Sequence, residues 1–537
     1  MPRIETALSP AAEAQAANRA ELLAALDRLR VIEARTRARS AAAGPRFAAR
    51  GQLLPRERVA LLLDPGQPFL ELSTLAGYRC DTPDADKSIA GGGIIAGIGV
   101  IRGVRCMINA SDSGIAAGAL QPYGLDKALR AQEIALENRL PYVQLVESAG
   151  ANLMAYRVED FIHGGSTFRN LARLSAAGLP VITVTHGSST AGGAYQTGLS
   201  DHIVMVRGRT RAFLAGPPLL KAATGEVATE EELGGAVMHT TVSGLGDHMA
   251  EDDRHAIGIA RRIVDDLGWD RVAPAEPAPA PACDPEDMLS VMPSDHRRPV
   301  DMREVIARFV DGSEFEETGA GYGPATVVGR ARVEGQQVGI VTNNGPLDVA
   351  GANKATHFIQ ACCQTGTPIL YLNNTTGYMV GRAFEEAGMI KHGSKMIQAV
   401  TNANVPQITL YCGASFGAGN YGMCGRGFAP RFCFAWPNAR TAVMGAEQAS
   451  GTMEIVARAG AARKGVEPDE DALAAQTARI TEIFESQMDV FHTSARLLDD
   501  GVIDPRDTRA VLALALRICA EGDARAPRPV QFAVARP

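Results

Sequence analysis

Leu179–Tyr195 reads LPVITVTHGSSTAGGAY, and Val405–Tyr421 reads VPQITLYCGASFGAGNY. A second pair precedes them, LPYVQLVESAGA at Leu140–Ala151 and TPILYLNNTTGY at Thr367–Tyr378. Pro141 and Pro368 lie 227 positions apart, while Pro180/Pro406 and Tyr195/Tyr421 are each 226 apart, so two separate blocks share one register. One short match is noise, but two in register are an internal repeat. Each block opens on proline, runs through apolar and β-branched residues as a buried parallel strand does, and closes on a turn of small residues. Such turns free backbone N–H groups, and open α/β sheets bind ligands at the loops after parallel strands. The repeat predicts two similar α/β domains, each with an amide-lined site.

At 537 residues the chain exceeds what one core supports, and two domains of roughly 250 residues are the natural division. A hydrophobic fraction of 46% is enough to fill both cores. Val272–Asp287 reads VAPAEPAPAPACDPED, a Pro/Ala tract that predicts a semi-rigid linker. The expected organisation is a helical N-terminal segment at 1–45, a first domain at 46–271, a linker at 272–290 and a second domain at 291–537. Ala11–Arg39 has the Ala/Leu/Arg/Glu composition of a helix and lacks the apolar core of a signal peptide. The net charge of −7, with basic residues scattered, gives no nucleic-acid face. Nine cysteines occur without a CxxC pair, and the adjacent Cys362 and Cys363 are badly spaced for a metal or for each other, which predicts reduced thiols. No apolar run approaches the roughly 18 residues of a membrane span. The expectation is a cytoplasmic protein with no metal, no nucleic acid and no membrane.

Several chemistries lose their usual warrant, because no GxxxxGK[ST], HExxH or GxSxG occurs. The glycines of SIAGGGIIAGIG at Ser88–Gly99 satisfy a GxGxxG-like spacing as any glycine run before a strand would. What the sequence is rich in is glycine at strand ends: Ser148-Ala149-Gly150-Ala151, Ala191-Gly192-Gly193-Ala194, Thr376-Gly377 and Gly417-Ala418-Gly419. Backbone N–H pairs in such loops stabilise a developing enolate or tetrahedral oxygen by several kcal/mol without a titratable side chain. An enzyme built this way takes its base from elsewhere. Each loop alone also reads as a tight strand-to-helix turn.

The strings ARGQLLPRERVALLLDPG (Ala49–Gly66), SIAGGGIIAGIG, RAQEIALENRLP (Arg130–Pro141), FLAGPPLLKAATGE (Phe213–Glu226), GASFGAGNYGMCGR (Gly413–Arg426), WPNARTAVMGAEQA (Trp436–Ala449) and DDGVIDPRDTR (Asp499–Arg509) carry a resemblance. Together they resemble the carboxyltransferase β subunit of biotin-dependent acyl-CoA carboxylases, nearest the 3-methylcrotonyl-CoA and geranyl-CoA branch. The resemblance implies two tandem crotonase-type (ClpP-like) α/β domains with β-β-α superhelix cores. It implies that carboxybiotin releases carbon dioxide in the site, that the biotin enolate deprotonates the acyl-CoA, and that the acyl enolate takes up the carbon dioxide. By position, Ala149 and Gly150 would stabilise the thioester enolate, and Ala418 and Gly419 would hold the biotin ureido oxygen. Gly193 and Gly377, found through the repeat, are supporting candidates. The chain carries no AMKM-like biotin-attachment sequence and no ATP-binding region, which implies a separate biotinylated α subunit, containing biotin carboxylase and the biotin carrier, docked on a β hexamer in an α6β6 complex.

The resemblance also has departures. Ala149-Gly150 stands where methylcrotonyl enzymes usually have two glycines, and Ala116-Ala117-Gly118-Ala119 where they have Lys-Gly-Gly-Thr. Gly118 and Lys221 are the remaining candidates for CoA contact, although Lys221 reads equally as a solvated lysine. In HGGSTF (His163–Phe168), Gly164 aligns with a bulky Phe of methylcrotonyl enzymes and a Gly of geranyl enzymes, so Gly164 and Gly165 are expected at the acyl pocket. The competing reading of that pair is a helix-entry turn. LDVAGANKATHF (Leu347–Phe358) is closer to propionyl-CoA carboxylases, with Asp348 in place of a common Phe. His163 and Glu147 invite a general-base role that the mechanism does not require, and His163 reads more simply as a packing or capping residue. The alternatives are a propionyl-type or longer-chain acyl-CoA carboxylase, a fused crotonase-type hydratase or isomerase, a decarboxylase-pump subunit, and a non-catalytic β scaffold.

Overall fold

The computed structural model describes residues 1–149, 157–274 and 276–530. Sixteen strands follow in chain order: β1 (Leu70–Glu71), β2 (Ile94–Ile101), β3 (Val104–Ser111), β4 (Tyr142–Ser148), β5 (Val181–Thr190), β6 (His202–Val206), β7 (Arg211–Phe213), β8 (His248–Ala250), β9 (Glu316–Glu317), β10 (Thr326–Val333), β11 (Gln336–Asn343), β12 (Ile369–Thr375), β13 (Gln407–Phe416), β14 (Phe432–Ala435), β15 (Arg440–Ala442) and β16 (Gly501–Val502). The first eight form one sheet in the order β1-β2-β3-β4-β5-β6-β8, with β7 beside β5. The last eight form another in the order β9-β10-β11-β12-β13-β14-β16, with β15 beside β13. The second sheet repeats the first strand for strand, which is the two-domain crotonase-type arrangement expected from the repeat and the resemblance.

In each sheet an antiparallel entry (β1 to β3, β9 to β11) leads into parallel strands. The parallel strands are apolar because helices cover them. Ile108, Val143, Ile182 and Val204 are buried in the first sheet with Ile257 and Val264 of the helix Asp253–Asp266. Val341, Ile369 and Tyr371 pack with Ala355 and Phe358 of the helix Val349–Thr365 in the second. Each such aliphatic side chain contributes about 1.5–3 kcal/mol on leaving water. The repeated prolines stand just before β4, β5, β12 and β13, where a strand needs no ladder N–H.

Contacts divide the chain into two units. One comprises Met1–Leu29, Ala275–Ser494 and Leu498–Arg517; the other comprises Arg30–Pro274, Ala495–Leu497 and Ile518–Pro537. The main division falls between Pro274 and Ala275, inside the Pro/Ala tract, and a second falls within the 29-residue helix Glu13–Ala41. The tail of the helix Thr508–Ala524 belongs to the unit of the first sheet, where Arg105 forms a bidentate pair with Glu521. Among the described residues, no helix is long and apolar enough to cross a membrane and no His/Cys/Asp/Glu cluster is arranged to hold a metal. Among the described residues no disulfide forms, so all nine cysteines are thiols.

Candidate active site

β5 runs directly into the helix Gly192–Gly198, and β13 into the helix Gly417–Gly422. Both junctions turn through the same unusual angle, with φ +53° at Ala191 and at Gly417. Glycine tolerates that region, whereas the Ala191 methyl costs on the order of 1–2 kcal/mol there. Strain held at equivalent strand ends points to what the turn presents. It presents the first helical N–H groups, those of Gly192 and Gly193 and of Ala418 and Gly419, which have no intrahelical acceptor.

In the second domain Gly419 packs on the loop after β12. A Cβ on Gly419 would lie 2.9 Å from Gly377 Cα and 2.9 Å from the Thr375 methyl carbon. Gly377 itself has φ +120°. Its carbonyl accepts from Leu347 N–H at 2.9 Å, and its N–H donates to Thr375 Oγ1 at 3.2 Å. The structure thus brings Gly377, Ala418 and Gly419 into one cradle that admits no side chain at Gly419. In the first domain Gly193 holds the position of Gly419, and among the described residues the nearest atom to a Cβ there is Ser189 Oγ at 3.9 Å. Gly150, the counterpart of Gly377, lies outside the described residues.

Ala149 is exposed at the end of β4, and its N–H donates to the Ala117 carbonyl at 3.0 Å. This amide therefore braces the loop. The brace continues at Gly118, whose carbonyl accepts from Ser148 Oγ at 2.8 Å. Gly118 is buried at φ +75°, and a Cβ there would fall 2.1 Å from the Glu147 carbonyl oxygen, so the position demands glycine. Ala116 and Ala117 carry positive φ of 46° and 53° in the same turn. Gly118 is thus a buried support, whereas Lys221 is exposed on the helix Pro217–Thr224.

Gly164 and Gly165 lie inside the helix Val158–Ala176, not at its entry, and a Cβ at either would meet no described atom within 4 Å. Glycine inside a helix costs roughly 0.5–1 kcal/mol against alanine, so the pair stands there against propensity. His163 pairs with Asp126 at 3.0 Å on the surface. Asp348 caps the helix Val349–Thr365 by accepting from Gly351 N–H at 2.6 Å, a local reason for an aspartate where a Phe is common. Cys424 is fully buried, and burial pushes its thiol up to about 12.

Glu147 is tied rather than poised. Its carboxylate accepts from Arg58 at 2.5 Å, Ser113 Oγ at 2.9 Å and Gln52 Nε2 at 3.2 Å. Burial works against its charge, yet Arg58 and the Ser113 hydroxyl hold the carboxyl below its ordinary value. Arg58 also donates to Asp253 at 3.0 Å, and Asp253 faces His186 Nδ1 at 2.8 Å and accepts from Leu53 N–H at 2.8 Å. The second domain has neutral groups below its loop: Ser415 Oγ donates to Asn373 Oδ1 and accepts from Asn420 Nδ2, both at 2.8 Å.

Sequence reading singled out only Glu147 of this cluster, whose members are spread over 200 positions from Leu53 to Asp253. It also passed over a duplicated Arg–Glu–Lys element. Arg56 pairs bidentately with Glu71 and lies near Lys127, which donates to the Ile94 carbonyl at 2.8 Å. Arg303 pairs likewise with Glu317 near Lys354, which donates to the Gly319 carbonyl at 3.1 Å. Lys127 and Lys354 are 227 positions apart, the register of the repeat, and that spacing was the available signal.

The carboxyl transferase domain model matches residues 47–531. The chain is 52% identical over 489 residues to a probable biotin-dependent acyl-coenzyme A carboxylase beta2 subunit of Mycobacterium tuberculosis, covering 90% of this chain and 91% of that protein. It is 47% identical over 488 residues to the biotin-dependent 3-methylcrotonyl-coenzyme A carboxylase beta1 subunit of the same organism, covering 88% and 90%. The crystal structure of the geranyl-CoA carboxylase beta subunit of P. aeruginosa superposes with a TM-score of 0.93 and 50% identity, over 99% of this chain and 100% of that one. With the likeness running through nearly the whole length of both domains, the chain belongs to the carboxyl transferase family, as a β subunit of the biotin-dependent acyl-CoA carboxylase type.

Proposed function

We propose that this chain moves a carboxyl group from carboxybiotin, carried by a separate biotinylated α subunit, to an enoyl-CoA, with geranyl-CoA favoured over 3-methylcrotonyl-CoA. The carrying observation is the cradle at Gly377 and Gly419, which a Cβ on Gly419 would fill. Backbone donors in a cradle of that size suit the ureido oxygen of biotin, and Ala418 and Gly419 are the donors. Biotin supplies the carboxyl group and, once that group has left, the base. The chain's own part is to hold oxygens: Gly150 and Gly193 offer N–H groups to the thioester oxygen, while Ala149 keeps that loop in place through Ala117. No side-chain base competes, because Glu147 is held by Arg58 and His163 is paired with Asp126. Lys221 is available to a CoA phosphate.

Gly164 supports the longer acyl chain, since no described atom lies within 4 Å of a Cβ placed there. Geranyl adds five carbons beyond methylcrotonyl, and at about 0.8 kcal/mol per buried CH₂ that extension gains up to roughly 4 kcal/mol. The names of similar proteins include both geranyl-CoA and 3-methylcrotonyl-CoA carboxylases, so pocket length decides between them. A β6 core within an α6β6 complex and a cytoplasmic location complete the reading.

The test is ATP-dependent bicarbonate fixation by the chain co-purified with its biotinylated partner, on geranyl-, 3-methylcrotonyl-, propionyl- and acetyl-CoA. Preference for geranyl-CoA, moved toward short acyl-CoAs by Gly164→Phe, is the expected result. Preference for a short acyl-CoA in the unmodified chain, or no response to Gly164→Phe, removes the pocket assignment. Fixation on none of the four removes the carboxylase reading.

A further inference from the structure

Tyr195 and Tyr421, which anchor the internal repeat, have no part in the cradles described so far. Tyr195 stands on the helix Gly192–Gly198, two residues beyond Gly193, and Tyr421 on the helix Gly417–Gly422, two residues beyond Gly419. Each is 51% exposed. A helical side chain leans back over the turn that precedes it. Each tyrosine ring is therefore directed toward the turn that presents the amides, Ala191–Gly192 in the first domain and Gly417–Ala418 in the second.

The two rings have different neighbours. In the first domain Phe168, from the helix Val158–Ala176, meets Tyr195 edge to face, with ring centroids 6.1 Å apart and an interplanar angle of 65°. Phe168 Cζ also lies 3.6 Å from where a Cβ on Gly192 would sit, so this pair abuts the first helical residue of the turn. In the second domain Tyr421 takes Phe428 from the segment that follows it, at 5.6 Å and 39°, and the helix Met389–Thr401 before β13 carries neither Phe nor Tyr. Among the described residues, an aromatic corner built from the preceding helix thus occurs in the first domain only. Gly164 and Gly165 precede Phe168 by four and three positions and share its helix face. The glycines therefore stand about 6 Å along the helix from the corner.

We propose that Phe168 and Tyr195 are specificity-determining residues of the first domain: together they form the wall against which the conjugated end of an α,β-unsaturated acyl thioester lies. The proposal rests on the carboxyltransferase reading above. The α and β carbons follow directly on the thioester carbon. With the thioester oxygen held at the Gly193 N–H, they fall beside the Gly192 turn, where Phe168 and Tyr195 meet. In an enoyl thioester both carbons are trigonal and coplanar with the carbonyl, so the flat group packs on an aromatic surface over its whole area. A saturated chain of the same skeleton has a tetrahedral β carbon and touches that surface only in part. Contacts with aromatic rings depend on such geometry beyond the area they bury. Gly164 then reads chain length at the far end, while the aromatic pair reads planarity at the near end.

The experiment compares Phe168→Leu, Tyr195→Leu and Tyr195→Phe with the unmodified chain, each as the complex with its biotinylated partner. It measures kcat/KM for geranyl-CoA and 3-methylcrotonyl-CoA, the inhibition constant of isovaleryl-CoA, which is the saturated counterpart of 3-methylcrotonyl-CoA, and the oligomeric state. Phe168→Leu and Tyr195→Leu are expected to lower kcat/KM for both enoyl-CoAs by about fivefold and to raise the isovaleryl-CoA constant by less than about twofold, while Tyr195→Phe stays within about twofold of the unmodified chain. Equal weakening of the enoyl-CoAs and isovaleryl-CoA means that the pair does not read conjugation and overturns the proposal. A loss confined to geranyl-CoA moves the pair to the far end of the chain, and a loss in Tyr195→Phe as large as in Tyr195→Leu assigns the effect to the hydroxyl; either overturns it. Unchanged kinetics, or a broken oligomer with unchanged selectivity, makes these residues packing or interface contacts and overturns it as well. If Phe168→Leu does not fold, the half-exposed Tyr195→Leu decides alone. An unmodified complex that carboxylates neither enoyl-CoA fails the underlying function instead, a result distinct from a variant-specific one.

Discussion

The two domains agree in backbone and disagree in what lies beneath it. Strand order, the slip between the two central parallel strands, the +53° turn and the Arg–Glu–Lys element all occur twice. Under the first loop lie Arg58, Glu147, Asp253 and His186, whereas under the second lie Asn373, Ser415 and Asn420. The difference teaches that the repeated requirement is a backbone shape that offers N–H groups, and that either charged or neutral packing can support it. It also shows where each half is vulnerable: the first through its ion pairs, the second through its lack of space.

The largest expected effect breaks the first support. Arg58→Met leaves Glu147 and Asp253 buried without their shared cation and should cost about 3–5 kcal/mol in denaturant unfolding. Ser415→Ala, which removes one neutral hub of the second support, should cost about 1–2 kcal/mol. Similar losses would mean that the two supports are energetically alike.

Space is the next contrast. Gly419→Ala forces a methyl to within 2.9 Å of Gly377 Cα and should lower bicarbonate fixation by about 100-fold. Gly193→Ala meets no described atom nearer than Ser189 Oγ at 3.9 Å and keeps its N–H, so it should lose less than about fivefold. Equal losses would show that the first cradle is as tight as the second.

A titration separates the halves as well. Asp247 and Asp500 play matching parts, accepting the N–H of Ile203 and of Cys433. Before them stand Gly246 and Asp499, and only the second titrates. Burial, helped by the neighbouring Asp500 charge and opposed by the Ser494 hydroxyl, pushes Asp499 up to about 7. Folding therefore favours the protonated acid, and its stabilisation is complete below the ordinary value of 3.8 and is lost as pH rises toward 7. The slope is up to about 1.4 kcal/mol per pH unit in that window, and Asp499→Asn should flatten it in unfolding measured from pH 4 to 7.

The smallest effect is a reciprocal swap at the turn. Ala191→Gly should stabilise by about 1 kcal/mol through relief of the positive φ, and Gly417→Ala should destabilise by about 1–2 kcal/mol. Differential calorimetry on the two variants would reveal whether both turns are held equally.

Much of this was legible in the sequence because a parallel strand leaves a local trace. Pro141, Pro180, Pro368 and Pro406, each followed by β-branched residues, marked all four central strands, and the small residues after them marked their ends. Gly164 was legible as a residue but not as a position, since only the fold puts it inside a helix instead of at its entry. Ala149 was legible as part of a loop, but the acceptor of its N–H is Ala117, on a segment whose left-handed alanines have no signature in composition. Arg58 and Asp253 carry no mark of their burial in the sequence, because a charge reads as buried only when its partner is known.

The sequence by itself determined that there are two domains, that they are copies, and that each ends its central strands in small residues. Strand periodicity and turn chemistry are local, and a repeat doubles their signal. Only the tertiary structure decided that Gly419 has no room for a methyl, that the Ala149 amide is a brace, and that Glu147 fills a bulge beneath the first loop. These depend on atoms brought within 3–4 Å from segments far apart in the chain, and no local pattern carries that distance.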